Sequence, residues 1–311
     1  MYSSLINYRA LTQPKAIALI DAGGPVSYRQ FDRAINQVAT ALLALAPEQP
    51  ALVGVDMRDL EHHWLVMLAL ARLGHATFTA PASESAVAAT GAKLVLTDRD
   101  DRWDTAAYAV QLDAQWWSDA LAADVPPVRE RGHWDAPARL MITSGTTGSG
   151  KMVMLTHRVV ARRVQQELLV QRPEQNTETA RQLVTMGPGT AGGFIAPLLM
   201  WARGGAIVIP TSRNVTQEVL NPVVTAAVIS TGQLQDILRS LPADFAPRPQ
   251  LTIMTGGSRM SRELEEEATR RLTPAIYSIY GSTEAGSVAG APLRAIRIDA
   301  GDVGIVYPLS H

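Results

Sequence analysis

The chain has 311 residues, 47% of them apolar, with a formal net charge of −1, which is enough apolar material for one large domain or two ordinary ones. Acids and bases are interspersed with no basic run or aromatic-basic stripe, so the sequence lacks the footprint of a binder of nucleic acid or of an anionic membrane. The absence of cysteine removes disulfides, thiolate metal sites and cysteine nucleophiles.

The first residues, MYSSLINYRALTQPKA, carry neither the basic segment nor the apolar core of a signal peptide. The stretch WLVMLALARLGHATF is interrupted by arginine and too short to cross a bilayer. The expectation is a soluble, cytoplasmic protein.

In residues 27–45, Phe31, Ile35, Val38, Leu42 and Leu45 recur at helical spacing behind Ser27 as an N-cap. ALVGVDM predicts a buried strand, DLEHHWLVMLALARLG a helix closed by Gly74, and ATFTAP a strand. SAVAAT is a short helix and AKLVLTD a further strand. Such alternation predicts a mostly parallel sheet covered on both faces. From about 99 to 137 the pattern is lost among charges, the pair Trp116–Trp117 and a PPV run, so an irregular connection and a boundary near 135 are expected.

A second alternating series begins with the strand ARLMITS and a glycine-rich stretch, from which KMVMLT leaves as a strand. The helix VVARRVQQELLVQ, strand RQLVTMG, helix FIAPLLMWARGG and strand AIVIP come next. The strands TAAVIST, LTIMTGG and AIYSIYG then alternate with helices GQLQDILRSL and SRELEEEATRRL. Glycines follow several strands directly, at Gly145, Gly187, Gly256 and Gly281, where open α/β sheets bind ligands. The fold class expected is α/β, with two mostly parallel sheets flanked by helices. A first subdomain is expected over 1–135 and a second over 136–311.

Within TSGTTGSGKMVMLTH, residues 143–157, GTTGSGK has the glycine and lysine spacing of a Walker A loop. That motif needs a helix opening at the lysine, a hydroxyl after it for magnesium, and a later apolar strand ending in Asp. Here Met152 follows Lys151, a strand is predicted to leave the loop, and TAAVIST and LTIMTGG end in Thr and Gly. A flexible Gly/Ser hairpin explains the glycines. It does not explain Ser144, Thr146 and Thr147 beside Lys151 in a chain with only three lysines among 28 basic residues. Hydroxyls, backbone N–H groups and a compact ammonium in one loop suit a polyphosphate. On the residues alone, both readings stay open.

Three stretches in order, TSGTTGSGKMVMLTH, LTIMTGGSRMSREL and IYSIYGSTEAG, resemble the phosphate loop, the GG-containing adenine segment and the YGxTE segment of the adenylate-forming superfamily. That superfamily comprises acyl- and aryl-CoA ligases, adenylation domains of nonribosomal peptide synthetases, and luciferases. PVSYRQFDRAINQVATALLAL and WLVMLALARLGHATFTAP resemble its opening helix and next βα unit.

The resemblance implies ATP-dependent, AMP-forming activation of a small carboxylic acid to an acyl adenylate. Transfer to coenzyme A, or to the phosphopantetheine of a carrier protein, would follow. It implies ATP or AMP binding by Thr143, Ser144, Gly145, Thr146, Thr147, Gly148 and Lys151, with the hydroxyls and Lys151 on the β and γ phosphates. Gly256, Gly257 and Ser258 would approach adenine and the acyl group. Tyr280 would stack on the base beside Gly281, Thr283 would bond the α phosphate, and Glu284 would ligate Mg²⁺. Lys151, Thr283 and Glu284 are the implied catalytic residues.

Gly150 and Met152 stand where the superfamily usually has Pro and Gly, and MGPGTAGGFIAPLLM lacks its aromatic-His pair, so the acid is not readable there. Relatives continue past the point matching His311 into a hinge and a small C-terminal domain. A fragment without that domain is therefore expected. The alternatives are a non-catalytic nucleotide- or acyl-adenylate-binding module and a Walker-type NTPase.

Other features have plainer readings. His62 and His63 are adjacent on a helix, diverge, and are structural rather than metal ligands. His157 is a helix-entry or a catalytic residue. Glu265, Glu266 and Glu267 form a solvated helix face, and Trp116 and Trp117 are expected to pack the two subdomains together, the alternative being contact with a partner.

Overall fold

The computed structural model describes residues 1–81, 84–100, 109–143, 151–170 and 179–292. It opens with helix α1 (Ser4–Thr12) and two strands, β1 (Ile17–Asp21) and β2 (Gly24–Ser27), each too short for a periodicity to register. Helix α2 (Tyr28–Leu42) starts at a reciprocal cap. The Ser27 hydroxyl accepts from the Gln30 amide, and Gln30 Oε1 accepts from the Ser27 amide.

Next come β3 (Leu52–Asp56), α3 (Leu60–Arg72), β4 (Ala76–Thr79), α4 (Glu84–Ala89) and β5 (Leu94–Thr97). Asp59 caps α3 through the His62 amide, and Gly74 ends the turn with φ of +88°.

The connection expected to be irregular contains strand β6 (Ala109–Gln111) and helix α5 (Ala114–Ala122). Asp113 accepts from the Trp116 amide to start α5. The helix buries only Trp117 and Ala120 among the residues it contributes, too few to make a periodic stripe. The Trp117 ring stacks on His62 with centroids 3.7 Å apart and meets Trp116 edge-on at 5.0 Å, so these contacts lie within the first compact unit of the chain, whereas the sequence predicts packing between the two subdomains. Strands β7 (Pro137–Thr143) and β8 (Lys151–Thr156) follow.

These strands form a six-stranded sheet in the order β6-β5-β3-β4-β7-β8, parallel except for the antiparallel β7–β8 edge. Phe78, Val95 and Leu140 lie in the hydrophobic cluster against it. Under α3, the buried Arg72 pairs with Asp32 at 2.8 Å and donates to Asn36 Oδ1 at 2.7 Å.

The chain continues through α6 (His157–Val170), β9 (Arg181–Val184), α7 (Ala191–Arg203), β10 (Ala206–Val208) and α8 (Val215–Leu220). It then runs through β11 (Ala226–Ser230), α9 (Thr231–Ser240), β12 (Thr252–Gly256), α10 (Arg262–Arg271), β13 (Ile276–Ser282) and β14 (Gly286–Pro292). The second sheet has eight strands ordered β14-β13-β12-β11-β9-β10-β1-β2. Its strands from β13 to β1 are parallel to their neighbours, and β14 is antiparallel to β13. Ala227, Ile229, Leu234, Ile253 and Leu272 are among the fully buried residues of its core.

Two mostly parallel sheets flanked by helices are therefore present. The chain divides into one compact unit of residues 1–18 and 26–162 and a second of residues 19–25 with the chain from 163 onward. That division falls later than the break expected near 135. β7 extends the first sheet by pairing with β4, and β8 pairs with β7. Local periodicity shows that β7 is a strand, but only long-range pairing decides which sheet it joins.

Candidate active site

In the first unit, the β7–β8 hairpin carries the two ends of the glycine-rich stretch. Thr143 pairs with Lys151 across the hairpin, and its hydroxyl donates to the Lys151 carbonyl at 3.4 Å. Lys151 is exposed as the first residue of β8. Ser144, Gly145, Thr146, Thr147, Gly148 and Gly150 lie outside the described residues. A strand opens at Lys151 where a Walker motif would open a helix, which is the geometry predicted for KMVMLT.

His157 begins α6, and its amide donates to the Ala136 carbonyl at 3.2 Å. The ring is fully buried, stacks on Tyr2 with centroids 5.5 Å apart, and neither ring nitrogen has a hydrogen-bond partner among the described residues. Burial first, then the nearby N-terminal ammonium, pushes its pKa down to about 4. His63 is also buried, with Nε2 3.2 Å from Thr79 Oγ1, and burial pushes it down to about 3. Among the described residues, no group of three or more His, Asp or Glu is placed to hold a metal ion.

In the second unit, the carboxyl ends of β12 and β13 bring together two of the predicted segments. Gly256 pairs with Ile279, and a Cβ on Gly256 would come within 2.8 Å of the Ile279 carbonyl oxygen. Gly257 follows at φ of +92°, a conformation that favours glycine. Ser258 is exposed, and its carbonyl accepts from Thr231 Oγ1 at 3.2 Å, so the start of α9 tethers this strand end. Tyr280 is 68% exposed beside it, on the neighbouring strand.

The pairing of β13 with β14 shifts register between Tyr280 and Gly281, a bulge of the kind that re-aims side chains at sheet ends. Thr283 and the exposed Glu284 lie in the turn between these strands, where Ser282 Oγ accepts from the Ala285 amide at 3.1 Å. Arg163 of α6 reaches this turn: its Nη2 donates to the carbonyls of Thr283 at 2.9 Å and Glu284 at 2.8 Å. Burial lowers the Arg163 pKa and the Glu284 carboxylate opposes that shift.

Arg163 and Thr231 were not legible as site residues. Arg163 stands in VVARRVQQ as one of two adjacent arginines on a helix, and its partners lie 120 and 121 positions away. Thr231 left one usable signal, its place directly after a strand in a sheet whose strand ends carry the other segments.

The sequence profile of the AMP-binding enzyme family matches residues 6–310, and the chain belongs to that family. It is 28% identical over 293 residues to the probable non-canonical nonribosomal peptide synthetase CymA of Salinispora arenicola, a match covering 88% of this chain and 4% of that protein. It is 29% identical over 176 residues to a 4-chlorobenzoate–CoA ligase of an Arthrobacter species, covering 51% of this chain and 34% of the ligase. The fold is shared with ATP-bound MatB of Rhodopseudomonas palustris at a TM-score of 0.81 and 20% identity, over 99% of this chain and 65% of that one. The chain thus spans a small part of the synthetase and about two-thirds of MatB. Among the described residues, no helix is long and apolar enough to cross a membrane.

Proposed function

We propose that this chain is the nucleotide- and acid-binding part of an enzyme that activates a carboxylic acid with ATP, giving an acyl adenylate and pyrophosphate. The observation that carries the reading is the end of β12 against β13. Two glycines without side chains, one at positive φ, lie beside an exposed tyrosine ring and a turn bearing Thr283 and Glu284. That arrangement offers a flat aromatic face, open backbone and a carboxylate, which suit a purine base, its sugar-phosphate and a phosphate-bound cation.

The reaction forms a bond between a carboxylate oxygen and the α phosphorus, and breaks the bond from that phosphorus to the departing pyrophosphate. The nucleophile is already ionised near neutral pH, so the protein needs no general base. Its work is alignment and stabilisation of spreading negative charge. Tyr280 stacks on adenine between the Gly256–Gly257 backbone and the open side. Thr283 donates its hydroxyl to the α phosphate. Lys151, with Ser144, Thr146 and Thr147 of the loop it follows, would hold the β and γ phosphates, Thr143, Gly145 and Gly148 of the same stretch belong to that set, and Gly281 stands next to Tyr280 at the base.

Glu284 is the residue that would hold Mg²⁺. One carboxylate fits this ion, which keeps waters and substrate phosphates as its other ligands, and Glu284 is exposed in its turn. When bound, the ion neutralises phosphate charge. A thiolate, of coenzyme A or of a carrier protein's phosphopantetheine, then attacks the acyl carbon and AMP departs.

The test is acid-dependent exchange of labelled pyrophosphate into ATP by the full-length protein, over a panel of aryl, alkyl and amino acids. Exchange with at least one acid is expected. Silence across the panel, where a known relative works in the same buffer, counts against the reading, and acid-independent release of ADP and phosphate replaces it with an NTPase.

A further inference from the structure

The turn that carries Thr283 and Glu284 is held from outside its own sheet by one buried charge. Arg163 is 7% exposed. Its Nη2 spans the carbonyl oxygens of two consecutive residues, Thr283 at 2.9 Å and Glu284 at 2.8 Å. The guanidinium also packs on the backbone of the same turn. A Cβ on Gly286, itself at φ of +76°, would stand 3.3 Å from Arg163 Nε. Nη1 is buried with no hydrogen-bond partner among the described residues.

Burying a guanidinium is costly, and an apolar side chain would serve packing better. A charged donor shared by two adjacent carbonyls does something packing cannot: it fixes the orientation of two successive peptide planes. Those planes set the directions in which the Thr283 hydroxyl and the Glu284 carboxylate leave the main chain. Both bonds come from one side chain of α6, so a single substitution there releases both carbonyls.

We propose that Arg163 is a positioning residue for adenylation, clamping the β13–β14 turn so that Thr283 and Glu284 are pre-aligned for the α phosphate and its metal. This rests on the adenylation reading of the same site. It goes beyond that reading by assigning a role to a residue on α6, outside the three motif stretches.

The experiment compares the full-length protein with its Arg163→Met and Arg163→Lys variants by amide hydrogen exchange and by ATP–pyrophosphate exchange kinetics. In Arg163→Met, amides of residues 282–287 should exchange about tenfold faster with the rest of the chain unaltered. kcat should fall about tenfold or more while the KM for the acid moves less than about threefold, as expected for a lost charged hydrogen bond felt in the transition state. Arg163→Lys keeps a charge and donors and should recover part of kcat. It carries the test alone if Arg163→Met does not fold, by showing partial loss of both protection and kcat.

Unaltered protection at 282–287 in a folded variant overturns the clamp, and so does an unaltered kcat when the wild type is active. A wild type inactive toward every acid, with protection lost in the variant, leaves the clamp standing and overturns the adenylation reading instead.

Discussion

Gly281 and Gly286 face each other across the β13–β14 turn so closely that a Cβ on Gly281 would lie 2.3 Å from the Gly286 carbonyl oxygen. The obstacle is backbone, which cannot swing aside as a flexible side chain would. Gly281→Ala must therefore open the turn that carries Thr283 and Glu284. We expect a loss of about 1–3 kcal/mol in stability, as for other overpacked sites, with a larger proportional loss of ATP–pyrophosphate exchange than of urea resistance. A variant with wild-type urea midpoint and wild-type exchange would contradict the close approach.

Lys151 and Glu284 are both exposed, but the Glu284 carboxylate also faces the buried Arg163, so truncating Lys151 should leave the melting temperature nearly unaltered and truncating Glu284 should lower it modestly. Lys151→Ala and Glu284→Ala are each expected to lower kcat/KM for ATP in the exchange reaction by about a hundredfold or more, the scale of losing one group that stabilises developing charge. Lys151→Arg should not restore the rate fully, because a planar fork cannot replace a rotatable ammonium. Rates within a few-fold of wild type would remove these residues from the chemistry.

The buried histidines give the folded state a defined response to acid. His157, pushed down to about 4, and His63, pushed down to about 3, stay neutral in the folded chain while their unfolded counterparts take up protons near 6.5. Between those values the unfolded state binds more protons, so stability is full above pH 6.5 and falls as pH drops toward 4. His157→Phe keeps a ring against Tyr2 and should flatten the slope of stability against pH from 6.5 to 4 by up to about one proton, or ~1.4 kcal/mol per pH unit. Urea midpoints measured across that range would expose the idea as wrong if both slopes coincide.

Arg72 and Asp32 make a buried pair at 2.8 Å that ties α3 to α2. Arg72→Met leaves Asp32 with Asn7 and Asn36 as remaining donors, at 3.3 and 3.4 Å, and should cost about 3 kcal/mol by stranding a buried carboxylate. Adding Asp32→Leu should recover much of that loss, because the penalty belongs to the unpaired charge. Chemical denaturation of the single and double variants distinguishes this from simple loss of packing.

Much of the architecture is written locally. Ser27 announces α2 because its hydroxyl meets an amide three residues on. Gly74 ends the α3 turn because it takes a positive φ, and the alternation of apolar runs marks the strands of both sheets. GGS and YGSTE could likewise be placed at strand ends from sequence alone, since glycine there reflects a backbone need that neighbouring residues reveal.

Only the tertiary structure decided that β7 joins the first sheet, that the Trp116–Trp117 segment is a helix packed on His62, and that Arg163 holds the Thr283–Glu284 carbonyls. The physical reason is the range of the interactions. Caps, turns and periodicities act over a few residues and leave a mark in the string, whereas strand pairing, burial of a single aromatic ring and a hydrogen bond across 120 positions depend on which surfaces meet once the chain has folded.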